Sequence, residues 1–470
     1  MTGNDKKALL ADPVSYYLTR ENNPDPSVTA ALREYSEQHR QLKAENKTLQ
    51  DKKKILSGEI GRAKRSHLPL DSLIDDMQAL SRRSKQIKGE LAAVEKQLIG
   101  RLTERLSHTA ARPFPQTRHH GSEKKPLKEV EIGIYQGSPE AWDQFVVDNP
   151  DTSIYHLSAW KELTRKVFGH DMTLFAAREK DGNLVGILPV TRISSRLFGD
   201  YLVSVPWFNY GGAVAEQADI EIKLMAAVND YAREAGVSHV EYRDNLPRSG
   251  YAVKTDKVNM ILALPDNGEA LWQGFSSKLR AQIKRPQREN PRTVIGGLEL
   301  LDDFYRVFSR NMRDLGTPVY TKAFFAEILR CFPSQSRLIV VYLSKRPVAA
   351  AFLLGFKERL EIPWASTISD VNHLSINMLL YWEVLQFAIR TGYRFFDFGR
   401  SSKDAGTYRF KKQWGAEPMA LYWHYWLKPG QQLPSLNPSN PKYALMINIW
   451  KRLPLPLTRL IGPHIVKNLP

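Results

Sequence analysis

Between Val28 and Arg105 apolar residues return at every seventh position. Tyr35, Leu42, Leu49, Leu56 and Ala63 make one series, and after His67-Leu68-Pro69 a second runs through Leu70, Met77, Ser84, Leu91 and Leu98. Leu73, Leu80, Ile87 and Val94 accompany it and supply the paired apolar positions of a heptad seam. This pattern predicts two helices folding back on each other as an antiparallel hairpin around a short Pro-containing turn. Beyond Glu129 the pattern becomes mixed α/β. Trp160, Leu163, Val167 and Phe168 mark a helix, and Met172 to Arg178 with Leu184 to Ile193 reads as a hairpin around Asp181-Gly182-Asn183. Ile220 to Ala235 is expected to be helical, and His239 to Arg243 and Met260 to Leu264 to be strands.

A second unit begins near Glu269 with a helix carrying Arg280 and Lys284 on one face, which Pro286 ends or kinks. Asp302 to Leu315 is expected to be a helix stopped by Gly316, and Thr321 to cap the next one. Strands follow at Leu338 to Leu343, Val348 to Phe356 and Leu360 to Trp364. Met378, Trp382, Leu385 and Ile389 define the buried face of a helix from Ser375 to Thr391. Strand Phe395 to Phe398, a loop carrying Lys411 and strand Leu421 to Leu427 complete the pattern. The expected divisions are a segment 1–27, the arm 28–107, a linker 108–128 rich in Pro, His and basic residues, two domains at 129–265 and 266–428, and a tail 429–470.

Charge changes the picture. The 470-residue chain is 42% hydrophobic and 25% charged, as a globular protein is, yet its formal charge is +17. Such an excess points to an anionic partner, and also serves solubility. On the arm it gathers at Lys52, Lys53, Lys54, Arg62, Lys64, Arg65, Arg82 and Arg83, many of them towards the turn. A solvated coiled-coil face accounts for the same residues. Cys331 is the only cysteine and the eleven histidines lack ligand spacing, so no metal or other cofactor is expected. The start has no apolar signal core, and no run reaches the roughly 18 apolar residues of a span, which predicts a cytoplasmic protein. The tail pairs Leu445, Met446, Ile449 and Trp450 with Lys451 and Arg452, a composition suited to the inner face of an anionic membrane or to docking on the second domain. Pro454, Pro456 and Pro463 exclude one long helix there.

The chemistry concentrates in Tyr408-Arg409-Phe410-Lys411-Lys412, just after Phe395-Phe396-Asp397-Phe398-Gly399-Arg400. A lysine there meets a phosphate or a developing oxyanion, and a ring beside it excludes water and strengthens that charge. An exposed basic loop is the competing reading.

Two resemblances extend this. Lys53-Lys54-Ile55-Leu56-Ser57-Gly58-Glu59-Ile60-Gly61-Arg62-Ala63-Lys64 resembles the end of the first helix in the arm of seryl-tRNA synthetases, a coiled coil that grips tRNA. Residues 129–428 resemble the Fem aminoacyltransferases and, more closely, their relatives in exopolysaccharide and exosortase gene systems. That match rests on Ser277-Lys278-Leu279-Arg280, Thr317-Pro318-Val319-Tyr320, Trp364-Ala365-Ser366, Asn377-Met378-Leu379-Leu380, Asp397-Phe398-Gly399-Arg400 and Tyr408-Arg409-Phe410-Lys411. The resemblance implies an α/β fold of tandem GNAT (N-acyltransferase) domains behind an antiparallel α-helical coiled-coil arm. It also implies transfer of an acyl group, from aminoacyl-tRNA, to an amine of a peptidoglycan or exopolysaccharide precursor. Lys411 and Phe410 look like the family's Phe-Lys pair, with Lys411 stabilising charge at the ester and Phe410 packing over the donor end.

In the same reading Asp397 accepts a proton from the attacking ammonium, or is a strand-end carboxylate. Arg400, Arg409 and Lys412 are phosphate contacts, Ser366 and Asn377 line the substrate cleft, and Tyr320 stacks in it or closes the core. Basic residues after Trp160, namely Lys161, Arg165 and Lys166, match no single acceptor-binding position of the family, which leaves the acceptor open. Near misses to the CoA-binding Q/R-x-x-G-x-G/A turn occur at Arg196 to Tyr201 and Arg233 to Ser238, neither ending in Gly or Ala, which favours a nucleic-acid donor. A CoA-dependent N-acyltransferase and a non-catalytic RNA-binding scaffold are the competing functions.

Overall fold

The computed structural model describes residues 26–66, 69–106, 129–195, 198–403, 405–434 and 441–469. Most of the expected N-terminal segment, the linker 108–128, Arg196 and the Lys64 side chain lie outside the described residues. The chain forms two compact units, residues 1–113 and 114–470. Among the described residues no helix is long and apolar enough to cross a membrane.

In the first unit, α1 (Pro26–Arg65) and α2 (Asp71–Leu106) pair antiparallel. Gln50 donates to Ser84 at 3.1 Å while His39, further from the turn, lies 3.4 Å from Glu95. Leu49, Leu56, Ala63, Ile87 and Val94 are buried, as the heptads predict. His39 and Ser84 are buried beside them. Polar groups matched across a seam tolerate one register better than its neighbours, so these pairs fix the alignment of the helices.

The second unit opens with β1 (Val130–Ile134), α3 (Pro139–Asp148), α4 (Ala159–Phe168), β2 (Met172–Glu179), β3 (Leu184–Ser195), β4 (Gly199–Val203) and β5 (Val214–Ala215). Then come α5 (Ala218–Glu234), β6 (His239–Asp244), β7 (Ala252–Lys254) and β8 (Lys257–Ala263). Its second half runs α6 (Gly268–Gly274), α7 (Ser277–Lys284), β9 (Arg292–Gly296), α8 (Leu301–Leu315), α9 (Lys322–Cys331), β10 (Ser336–Leu343), β11 (Arg346–Phe356) and β12 (Arg359–Thr367). It continues with α10 (Ile376–Arg390), β13 (Phe395–Ser402), α11 (Gly406–Lys412), β14 (Glu417–Ala420), β15 (Tyr422–Leu427), α12 (Pro441–Arg452) and α13 (Leu455–Val466).

Two mixed sheets result, ordered β1-β2-β3-β4-β6-β15-β7, with β5 on β3, and β14-β8-β13-β12-β11-β10-β9. Each contains an antiparallel meander whose last strand pairs briefly in parallel with the next one. Leu202 and Val203 meet Val240 and Glu241 in one, and Arg359 to Glu361 meet Phe395 to Asp397 in the other. Each half then gives a strand to the other sheet: β8 lies against β13, and β15 against β6. A division at residue 265 therefore runs through both sheets, parting β8 from β13 and β15 from β6. Local pattern finds a strand, while its partner is chosen by packing across hundreds of residues.

Other local differences have simple causes. The single helix expected from Glu269 is two, because the Ser276 hydroxyl accepts from Leu279 N–H at 3.2 Å and starts a new helix. Gly316 (φ 79°) ends α8, and Thr321 caps α9, as expected. The tail forms two helices separated at Leu453-Pro454. It docks on both halves and not on the second alone. Arg459 donates to the Ser309 hydroxyl, the Tyr201 hydroxyl to Asn468 C=O at 2.9 Å, and His170 lies 2.9 Å from Lys467 C=O. At Gly462 an added Cβ would stand 2.8 Å from Val319 N. Gly462→Ala is therefore expected to cost about 1–3 kcal/mol, seen as a lower urea midpoint with unchanged slope.

Candidate active site

The second sheet opens where β12 and β13 part, just past the facing pair Glu361 and Asp397. β13 bulges between Asp397 and Arg400, where Gly399 takes φ 74°, a left-handed backbone that a side chain would strain. The Lys411 segment is a short helix, α11, and not a loop. In its last turn Lys411 is buried and faces the bulge, donating to Gly399 C=O at 3.0 Å and Arg400 C=O at 2.9 Å. An ammonium has three N–H groups. The third has no hydrogen-bond acceptor among the described residues. Burial draws Lys411 down to about 8, with Asp397 opposing that fall and Arg400 adding to it.

Beneath the lysine lies a carboxylate pair, Asp397 with Glu361, of which the sequence pointed to Asp397 alone. Asp397 is fully buried and accepts from Gly399 N–H at 2.7 Å, Tyr210 Oη at 3.0 Å and Asn259 Nδ2 at 2.7 Å. Glu361 accepts from Tyr155 Oη at 2.7 Å and lies 3.2 Å from Tyr210 Oη. The Tyr210 hydroxyl thus bridges the two acids, and its ring lies 4.5 Å from the Arg359 guanidinium. Burial first, and the charge of Asp397 second, push Glu361 up to about 8. Asp397 is also raised by burial, but Arg359, Gly399 N–H, Tyr210 and Lys411 all favour its charged form. At neutral pH Glu361 therefore keeps its proton and Asp397 the charge, since two adjacent buried acids do not both ionise. Asp397 is sealed from solvent with three donors on it, so it does not stand where an incoming amine would meet it. Glu361 and Arg359 flank Leu360 in a hydrophobic strand, which was a legible signal of something unusual. Tyr155, Tyr210 and Asn259 carried none.

The other expected residues are spread around this centre. Arg400 is exposed, 4.7 Å from the Trp423 ring, and no acceptor meets its guanidinium among the described residues. Arg243, on β6, lies 4.3 Å from the same ring, donating through Nε to Glu241 and through Nη1 to Val205 C=O and Phe208 C=O. Surrounding protein, and Arg243 next, pull Arg400 down to about 10. Tyr320 is half-buried among Phe168, Phe324 and Trp364, and its burial raises it. Ser366 is buried and accepts from Asn311 Nδ2 at 3.1 Å, and Asn377 is half-buried in the first turn of α10. Phe410 packs its edge against Tyr381 at 5.0 Å, in a core position. Arg409 and Lys412 are exposed on α11, Lys412 paired with Glu417 at 2.6 Å. The structure thus joins Lys411, the Arg400 backbone and Asp397 in one hydrogen-bonded group. Among the described residues no cluster of His, Cys, Asp or Glu suits a metal.

On the arm, Lys52, Lys54, Arg62, Arg65 and Arg82 are exposed and Lys53 is half-buried. Arg83 is a correction, since its charge is shared with Glu45 at 2.8 Å and Glu90 at 3.5 Å. In the first half, Arg165 is paired with Glu162 and Lys166 with Glu327, which leaves Lys161 among the three basic residues of α4.

A family model described as the acetyltransferase (GNAT) domain matches residues 275–412, and one described as the seryl-tRNA synthetase N-terminal domain matches residues 14–104. The first range holds every motif from Ser277 to Lys411. Among solved structures the chain is similar to FemX at 13% identity, covering 62% of this chain and 96% of that one, with a TM-score of 0.49. It is also similar to the C-terminal domain of a putative lysylphosphatidylglycerol synthetase from Agrobacterium fabrum, at 14% identity, 61% and 91% coverage and a TM-score of 0.44. A third is L-PGS from Bacillus licheniformis, at 15% identity, 61% and 88% coverage and a TM-score of 0.41. No curated protein matches. The chain thus carries a GNAT acyltransferase domain in residues 275–412, behind an arm that matches the seryl-tRNA synthetase N-terminal domain.

Proposed function

We propose that the protein moves an aminoacyl group from aminoacyl-tRNA to an amine of a peptidoglycan or exopolysaccharide precursor, as a FemAB-type enzyme. The observation that carries this reading is the presence, on one chain, of the GNAT match and the seryl-tRNA synthetase arm match. An aminoacyl ester is already activated, so orientation and electrostatics supply most of what the reaction needs. The acceptor amine attacks the ester carbonyl, the C–N bond forms, the bond between the acyl carbon and the ribose oxygen breaks, and the amine's proton passes to the departing ribose oxygen or to solvent. Lys411 offers its third N–H to the carbonyl oxygen as negative charge builds there. Asp397 acts through Lys411, by holding Gly399 and by charge. Arg400, Arg409 and Lys412 serve as phosphate contacts, Arg400 being the least committed of the three.

The acetyltransferase description of the matched model favours a second reading, with acyl-CoA as donor. Against it, Ser369 to Ser375, which leads into α10 after the parted strand β12, contains no glycine to form a pyrophosphate cradle. Filter binding separates the two. Radiolabelled tRNA is expected to bind, with affinity falling on the order of tens of fold between about 50 and 200 mM salt if three phosphates are neutralised. Deleting residues 28–105 is expected to weaken it. Retention of labelled acetyl-CoA with no tRNA binding would decide for the second reading, and retention of aminoacyl-tRNA with no transfer to any acceptor for a non-catalytic RNA-binding scaffold.

A further inference from the structure

Residues 429–470 contain no aspartate or glutamate, while Lys442, Lys451, Arg452, Arg459 and Lys467 supply five positive charges. In the structure this tail divides its side chains sharply. Thr458, Gly462 and Val466 of α13 are buried within the second unit, where an added Cβ at Gly462 would meet Val319, and Gly316 comes close to Ile447 of α12. The other faces of the two helices carry a concentration of bare apolar surface. Leu445 is 63% exposed, Met446 60%, Ile449 53% and Leu460 67%. Leu457 and Ile461 are exposed beside Leu460 in the sequence. Lys451 and Arg452 are exposed at the end of α12.

We infer that the outward faces of α12 and α13 form a docking surface for an anionic lipid membrane. The inference is independent of the transferase reading. Exposed leucine, methionine and isoleucine at i, i+1 and i+4 of one helix and i, i+3 and i+4 of the next would be costly to leave in water and gain by entering acyl chains. Charge selects the occupant. A second copy would bring the same acid-free, basic tail against this one, so the apolar contact would be opposed by like charges. A nucleic acid would meet the bases but leave the apolar side chains in water. An anionic bilayer takes both at once, the apolar groups inserting shallowly and Lys451 and Arg452 lying at the headgroups. Because α13 is anchored by its buried face, the surface is presented as a preformed patch and no segment needs to fold on binding.

The test is co-sedimentation of the full chain with vesicles of phosphatidylcholine alone or mixed with phosphatidylglycerol. The wild type is expected to pellet with the mixed vesicles and hardly with the neutral ones. Leu445→Ser with Ile449→Ser is expected to weaken partitioning by about tenfold, since two partly inserted side chains are lost. Lys451→Gln with Arg452→Gln is expected to weaken it several-fold and reduce its salt sensitivity. All four positions are exposed, so both variants should melt as the wild type does. The basic arm is also able to hold anionic vesicles, and the serine pair distinguishes it. Pelleting that the serine pair leaves unchanged would assign binding to another surface and overturn the inference, as would no pelleting at all. A wild-type dimer that the serine pair converts to monomer would assign the face to a second copy, and overturn it equally.

Discussion

Lys411→Ala is expected to lower the single-turnover rate of transfer by about 100- to 1000-fold at saturating donor and acceptor, with little change in acceptor binding. Loss of one preorganised donor at a developing oxyanion typically costs this much, because the contact strengthens only as charge develops. Two of the lysine's N–H groups are spent on the Gly399 and Arg400 carbonyls, which fix the ammonium and leave one direction for the third. Alanine also strands those carbonyls, so Lys411→Met, which keeps the side-chain volume, is the partner variant. Lys412→Ala is the neighbouring control. Its ammonium is exposed and paired with Glu417, so its loss should act on donor affinity and not on the saturated rate. A folded Lys411→Ala protein with the wild-type single-turnover rate would remove the lysine from the chemistry.

The pH dependence carries the sign of the same argument. Burial draws Lys411 down to about 8, so its stabilising charge is present below that pH and is lost as pH rises through it. The rate should therefore fall on the alkaline side with a midpoint near 8, after any rise due to deprotonation of the acceptor amine. Arginine keeps its charge throughout, so Lys411→Arg should lose this limb even if it is slower. A lysine acting as a general base would give the opposite result, a rate climbing through 8.

Much of this fold was legible because its signals are local. Heptads named the arm, Gly316 and Thr321 fixed helix ends, and most strands of the second half were found from short apolar runs. What was not legible depends on long-range pairing. Nothing around Met260 says that β8 joins the sheet of residues more than a hundred positions later. Lys411 was found by its motif, but the run Arg409-Phe410-Lys411-Lys412 alone left an exposed loop open, and it takes a helical turn to roll one lysine inward and leave its neighbour outside. The Glu361 pair was missed for the complementary reason. Its carboxylates are 36 positions apart and its bridging tyrosine 151 before Glu361, so only the folded chain brings them within hydrogen-bond reach.

That pair makes the other large prediction, and it is one of stability. Asp397→Ala removes the charged member and leaves Arg359 and Lys411 without their buried counter-charge. It also strips the acceptor from Gly399 N–H, Tyr210 and Asn259. Breaking such a group typically costs about 3–5 kcal/mol, more than a hundredfold in the folding equilibrium, measurable by urea denaturation. Glu361→Gln should behave differently because Glu361 is neutral at pH 7 and an amide nearly matches a protonated carboxyl in shape. The native acid is raised to about 8 from an ordinary 4.5, so the folded state binds the extra proton between those values. Its contribution is therefore complete below about 4.5 and declines as pH rises, being gone above about 8. Wild-type stability should fall between pH 6 and 9 by more than that of Glu361→Gln, whose amide does not titrate. The two proteins should lie closest at the alkaline end, or cross there. An equal deficit for the glutamine variant at pH 6 and pH 9 would mean that Glu361 does not hold the proton, and a fully stable Asp397→Ala protein would mean that the buried charge is not where this structure puts it.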